Sequence, residues 1–237
     1  MAYSAGFNPH PRISFANAAP TGAASEAEYL EIAVTRRCDP ELLRAALDAA
    51  LPPGLDVVEL VEASGGPLAD RLEASVWQVE LPGVAPEQAA DALATFLAAE
   101  RVDVQRLMKT GMRTFDARAA VLRAEVVDHP WPGTGARVVA GPGGAGGPVG
   151  GAGAQADTQP GAGGTVVTVG PCAILRLVVR HTTPAVRPDD VLVALRAQAS
   201  LAPPSPPRMT RLAQGPLTPD GGAVADPLAA DRDVDGT

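Results

Sequence analysis

Leu30-Glu31-Ile32-Ala33-Val34-Thr35-Arg36-Arg37-Cys38-Asp39-Pro40-Glu41-Leu42-Leu43 passes from one periodicity to another. Leu30, Ile32 and Val34 alternate with Glu31 and Ala33, the period-two pattern of a half-buried strand. Asp39 then supplies an N-cap, Pro40 suits the first helical position, and Glu41 complements the positive end of the helix. Leu43, Ala46, Leu47 and Ala50 recur at helical spacing, and Pro52-Pro53-Gly54 stops the helix. Upstream, Ile13–Ala16 reads as a short strand, followed by a turn at Pro20-Thr21-Gly22. Downstream, Leu55–Val61 reads as another strand. Residues 12–62 therefore read strand–strand–helix–strand. That is a ferredoxin-like βαββαβ unit without its initial strand and helix. The expectation is that these two elements lie upstream of Met1.

The second half repeats the order. Trp77, Val79 and Leu81 alternate with Gln78 and Glu80 as a strand, and Pro86–Glu100 is a helix with Leu93, Phe96 and Leu97 inward. Val102–Leu107 and Val121–Val127 come next as strands. After a Gly-rich stretch come a strand carrying Leu175, Leu177 and Val179, and a helix over Pro188–Gln198. Arg208–Leu212 reads as a last edge strand. The fold class is thus α+β, two tandem ferredoxin-like units, with one extra strand in the second. The expected boundaries are a truncated unit over 1–63, a linker over 64–74 centred on Ser64-Gly65-Gly66-Pro67, and a second unit over 75–213. Residues 141–170, mostly Gly, Ala, Pro and Val, read as a disordered insertion in that unit. Residues 214–237, rich in Gly, Pro and Asp, read as a disordered acidic tail.

Removing both stretches leaves about 180 residues, enough for two small cores. The formal charge is −8, which argues against strong non-specific nucleic-acid binding. Lys109 is the only lysine, and the Ala, Gly, Pro and Arg bias is that of a GC-rich genome such as an actinobacterial one. Cys38 and Cys172 belong to no ligand cluster, so neither a zinc nor an iron–sulfur site is expected, nor any cofactor. With no long apolar run and no signal peptide, the expectation is a soluble cytoplasmic protein.

Two segments carry candidate chemistry. In Gly6-Phe7-Asn8-Pro9-His10-Pro11-Arg12, each proline forces the residue before it into an extended or turn conformation. The rigid segment can hold Asn8, His10 and Arg12 ready for a phosphate, a carboxylate or a nucleobase edge. The plainer reading is a loop whose polar groups satisfy their own turns, and no catalytic residue is assigned. Over 101–123, Arg101, Arg106, Lys109, Arg113, Arg118 and Arg123 face only Asp103 and Asp116. Arg106, Lys109 and Arg113 are the candidate RNA contacts, although Phe115 is the segment's only aromatic for stacking. The plainer reading is a solvated strand face. Asp116 and Arg118 either pair on one face of an extended segment or anchor a turn. Glu26, Glu28 and Glu31 read as a solvated face, not a metal site. The Gly-rich run lacks the strand and helix that a phosphate-binding loop needs.

Tyr3 to Ala16 resembles the signature of the radical-SAM-associated (radical-SAM-linked) domain of unknown function. The segments Ser25–Leu30, Thr114-Phe115-Asp116-Ala117-Arg118, Arg187–Leu192 and Arg208–Leu212 are similar to that family's pattern as well. The resemblance implies an accessory or substrate-handling role beside a separate radical-SAM enzyme of the cobalamin-binding type. Ribonuclease E/G-type RNA metabolism is the alternative setting, with RNA as a partner and neither DNA nor a membrane. SAM cleavage needs three cysteine ligands, so the partner would supply the cluster. On this reading Asn8, His10, Arg12, Asp116 and Arg118 line a binding surface.

Overall fold

The computed structural model describes residues 1–5, 7–109, 111–129 and 170–232. The Gly-rich insertion expected over 141–170 lies outside them except for Gly170, as do residues 233–237. The fold is mixed α+β, with fourteen short and long elements in the described residues.

A five-stranded sheet is the frame. It contains β2 (Ala24–Ser25), β4 (Ala74–Pro82), β7 (Val121–Val127), β8 (Cys172–Arg180) and β9 (Arg208–Gly215), in the order β2-β9-β4-β8-β7. Helices α2 (Pro86–Ala98) and α3 (Pro188–Ala199) connect β4 to the β7 side and β8 to β9. The order β4-α2-β7-β8-α3-β9 is strand–helix–strand–strand–helix–strand, with a hairpin inserted after α2. That hairpin is β5 (Asp103–Met108) paired with β6 (Gly111–Asp116). Pairing along β4 is antiparallel to both neighbours, and the β4–β9 register shifts between Val76 and Trp77.

One face of the sheet meets the two helices. Trp77, Val79 and Leu81 of β4 and Leu175, Leu177 and Val179 of β8 point into it, as the alternation predicts. Leu93 and Phe96 from α2 and Val191 and Leu195 from α3 close the core. Burial of Phe96 alone contributes about 2–3 kcal/mol. The opposite face carries Gln78, Glu80, Arg176, Arg123 and Glu125, which the same alternation turns outward.

Residues 1–63 are built differently from expectation. β1 (Ile13–Ala16) pairs antiparallel with β3 (Tyr29–Ile32), and α1 (Pro40–Ala50) comes after them. Asp39 caps α1, its carboxylate accepting from the amides of Glu41 (2.9 Å) and Leu42 (3.2 Å). Leu55–Val61, read as a strand, is irregular. Its backbone is held by α1 side chains: Arg44 donates to the Val57 carbonyl and Asp48 accepts from the Val57 amide. Among the described residues, the region has no sheet of its own beyond the β1–β3 ribbon. Instead β2 runs parallel to β9 at the edge of the large sheet.

The C-terminal quarter also departs from expectation. β9 runs three residues past Leu212 and lies between β4 and β2, so it is not an edge strand. Residues 214–232, expected as disordered tail, complete β9, form a Leu217–Val224 bridge and end in α4 (Ala229–Arg232). Asp231 is buried there and ion-pairs with Arg71. The expected linker holds a 3-10 turn over Leu68–Arg71, with Leu68 and Leu72 buried against Ala16.

Candidate functional site

The opening motif is a clamped, solvent-facing tip. Ala2 donates to the Ala33 carbonyl (2.7 Å), Arg12 to the Ala2 carbonyl (2.9 Å) and Ser4 to the His10 carbonyl (2.8 Å). The His10 amide returns a bond to Ser4 Oγ (3.0 Å), and Tyr3 faces Pro11 in an antiparallel bridge. Pro9 and Pro11 lack an N–H, so the backbone pairing here runs through His10 and Arg12. At the tip Phe7 is fully exposed, and Tyr3, Asn8, His10 and Arg12 are exposed along the stem. The loop presents these side chains outward and does not gather them into a pocket.

The second predicted group is dispersed, and most of it has structural work. Asp116 Oδ1 accepts from the amides of Val102 (3.0 Å) and Arg118 (2.9 Å), anchoring the turn after β6. Arg118 does not pair with it. Its guanidinium donates to the carbonyls of Leu97 (3.2 Å) and Val121 (2.9 Å) and lies over the Phe96 ring. Arg106 ion-pairs with the buried Asp190, donates to the Ala185 carbonyl (2.8 Å) and stacks over Phe115. Burial pushes the Asp190 carboxyl above its ordinary range, against the Arg187 amide and the Arg106 charge that pull it down. Of the three candidate RNA contacts, Lys109 and Arg113 face solvent near the hairpin tip. Leu107 and Met112, directly opposite each other, are exposed beside them.

A polar knot that sequence reasoning missed joins the two halves. Its centre is Arg211 of β9, 1% exposed. The guanidinium donates to the Asn17 carbonyl (2.6 Å), to Ser25 Oγ (3.3 Å) and to the Glu28 carboxylate. It also sits over Trp77, 5.7 Å from the ring centre. Gln214 donates to the Ala27 carbonyl (2.7 Å) and accepts from Asn17 Nδ2 (3.1 Å). Glu28, read as part of a solvated acidic face, is therefore an anchor. Asn17 adopts a left-handed backbone, φ 53°, which Asn tolerates better than most residues.

His181 extends the knot. Its Nδ1 lies 2.6 Å from the Leu72 carbonyl, which can only accept, so Nδ1 carries the proton. Nε2 then accepts from Ser75 Oγ (2.7 Å) and Asn17 Nδ2 (3.0 Å). Burial, and to a smaller degree the Arg211 charge, lowers the imidazole pKa below its ordinary 6.5, against the Leu72 bond. The pair resembles a nucleophile and its base, but Ser75 is fully buried, so the arrangement holds structure together. The weak signal for the knot was Arg211, a charged residue that β9 sets directly opposite the inward Trp77.

On the open face of the sheet, Arg123, Glu125 and Arg176 border a shallow cleft of about 420 Å³ with Val76, Val178 and Leu212. Among the described residues, no three His, Cys, Asp or Glu converge as metal ligands. Nor, among them, is any helix long and apolar enough to cross a membrane. Cys38 is exposed and Cys172 half-buried, neither in a disulfide.

No curated protein and no solved structure matches the chain. One family model does, over residues 1–188, from the clamped tip through β8 to the first residue of α3. With most of its length inside that match, the chain belongs to the bacterial family described as "Uncharacterized protein conserved in bacteria (DUF2344)".

Proposed function

We propose that the chain is an accessory, substrate-handling protein that acts with a separate radical-SAM enzyme. The observation that carries this reading is the clamped tip. Its backbone is fixed by Ser4, His10 and Arg12, while Phe7 stands fully in solvent. An exposed aromatic on a loop clamped at its base, flanked by Asn8, His10 and Arg12, has the usual make-up of a binding anchor. The similarity of this segment to the radical-SAM-linked signature names the partner class. The chain's two cysteines fall short of the three ligands that SAM cleavage needs, so the cluster belongs to the partner. The ferredoxin-like reading of residues 75–213 is supported by the β9-β4-β8-β7 strand order.

Titration calorimetry against a cobalamin-binding-type radical-SAM enzyme from the same organism tests the reading. A micromolar complex is expected, weakened at least tenfold by Phe7→Asp, which touches no packed residue. Absence of a complex, or indifference to Phe7→Asp, overturns it. The RNA-adaptor reading keeps Lys109 and Arg113, since Arg106 is engaged by Asp190. It requires a salt-dependent RNA complex that weakens on Arg113→Ala.

A further inference from the structure

The β1–β3 register places Ile13 opposite Ile32 and Phe15 opposite Leu30. Directly opposed residues share a face, so these four apolar side chains form one side of the ribbon, and Val34 extends it. The other side, carrying Ala16 and Tyr29, packs on Leu68 and Leu72. The apolar side faces outward. Phe15 is 63% exposed, Leu30 46%, Ile13 45% and Val34 37%. Helix α1, the natural cover for such a face, has no buried residue and leaves Leu42 exposed.

The charges around this face are arranged by end. Arg36, in phase with Ile32 and Val34, is exposed at the Ile13–Val34 end. Glu26 is exposed beyond the Ala16–Tyr29 end, next to Glu28, which is tied to Arg211. A ribbon that is apolar in the middle, basic at one end and acidic at the other is complementary to itself turned end for end.

We propose that the outward face of the β1–β3 ribbon is the interface between two copies of this chain. The twofold axis lies in the interface plane, across the strands. It stacks Phe15 and Leu30 of one copy on the Ile13–Ile32 pair of the other and brings Arg36 over the other copy's Glu26. The exposed apolar area is roughly 300–400 Å², about half of the ~800 Å² that each partner gives to a standard interface. The charged ends supply the polar rim around it. Such an isologous contact closes at two copies and leaves no apolar face to propagate. This inference stands independently of the radical-SAM reading, because the Phe7 tip lies outside the stacked pairs.

Sedimentation velocity on the full chain at micromolar concentration tests it. The expected species has twice the 24.1 kDa chain mass. Phe15→Asp and Leu30→Lys should each raise the dissociation constant at least tenfold without loss of cooperative unfolding, since both side chains are largely exposed in the single copy. Leu107→Asp, on the β5–β6 hairpin, should leave the dimer intact. Arg36→Glu should weaken it, and adding Glu26→Arg should restore it. A wild-type monomer throughout overturns the proposal, as does a dimer or larger aggregate that survives both face variants. Failure of the charge swap to rescue overturns the end-for-end arrangement.

Discussion

Asp231→Asn should cost the folded chain about 2 kcal/mol at neutral pH, and the cost should vanish in acid. Asp231 Oδ1 accepts from the Ser64 amide (3.0 Å), Ser64 Oγ (2.8 Å) and Arg71 Nη2 (3.1 Å). Oδ2 accepts from Arg71 Nη1 (2.6 Å). The Arg71 bond first, and the Ser64 bonds after it, hold the carboxyl at about 2 from its ordinary 3.8, against the opposing effect of burial. At about 1.4 kcal/mol per tenfold change in proton affinity, that preference stabilises the fold by about 2 kcal/mol. The folded value lies below the unfolded one. The stabilisation is therefore complete above about pH 4 and lost as the pH falls through 2. Urea unfolding monitored by the fluorescence of the buried Trp77 measures it. The wild-type and variant curves should stand about 2 kcal/mol apart at pH 7 and converge as the pH falls from about 4 toward 2. A gap under about 0.5 kcal/mol at pH 7, or one that does not change with acid, would refute the assignment of this carboxylate as the clasp of the C-terminal segment.

Arg106→Ala should destabilise the fold by about 2–4 kcal/mol, because it strands the buried Asp190 carboxylate; a loss of RNA binding with unchanged urea midpoint would contradict this structural role. Arg211→Met should free the N-terminal region. Amide exchange at residues 24–33 should accelerate well before that of β4 and β8, and uniform exchange across the chain would count against a local anchor. His181 has a folded pKa below its unfolded one, so its contribution is full above about pH 6.5 and declines as acid protonates it. Stability should therefore fall below pH 6.5 in wild type and fall less steeply in His181→Gln, with equal slopes refuting the point. Gly215→Ala would set a Cβ 2.0 Å from the Ala225 carbonyl oxygen. It should cost about 1–3 kcal/mol and open residues 216–232 to protease, whereas an unaltered digestion pattern would show the approach is not tight.

The second half was readable because its strands obey period two over long runs. Trp77-Gln78-Val79-Glu80-Leu81 and Leu175-Arg176-Leu177-Val178-Val179 each show which side is inward, and apart from β6, which was not expected, the strands and helices from β4 to β9 fall within a few residues of expectation. The first 63 residues misled because local pattern is silent on partners. Leu55–Val61 has strand-like composition, yet among the described residues it pairs with no strand, and Arg44 and Asp48 take the backbone groups of Val57 instead. Composition misled at residues 214–232, where Gly, Pro and Asp looked like a solvated tail. The Arg71–Asp231 pair, the Arg232 ion pairs, Leu228 packed on Leu68 and Leu72, and a tight glycine contact seat that segment. The candidate site divides the same way. The rigidity of the Phe7–Arg12 tip could be read from its prolines, a local property. The knot at Arg211 depends on residues 183 positions apart, Glu28 and Arg211, and no local pattern encodes it.

The place of β9 in the sheet has a consequence for how the chain is made. β4 needs β9 on one side, and Arg211 from β9 is what secures Glu28, Ser25 and Asn17. On the ribosome, more than a hundred residues separate the emergence of β4 from that of β9. At about 5–20 residues per second this is roughly 6–25 s of synthesis. During that interval Trp77 and Val79 have an unfilled flank, and the apolar β1–β3 ribbon, though packed on Leu68 and Leu72, lacks the Arg211 and Gln214 bonds that tie it to the sheet. The nascent chain is thus most vulnerable in its first third and secured by its last quarter. A stop anywhere before Arg208 would release a chain without the β9 bonds that fasten Asn17, Ser25, Ala27 and Glu28 to the large sheet.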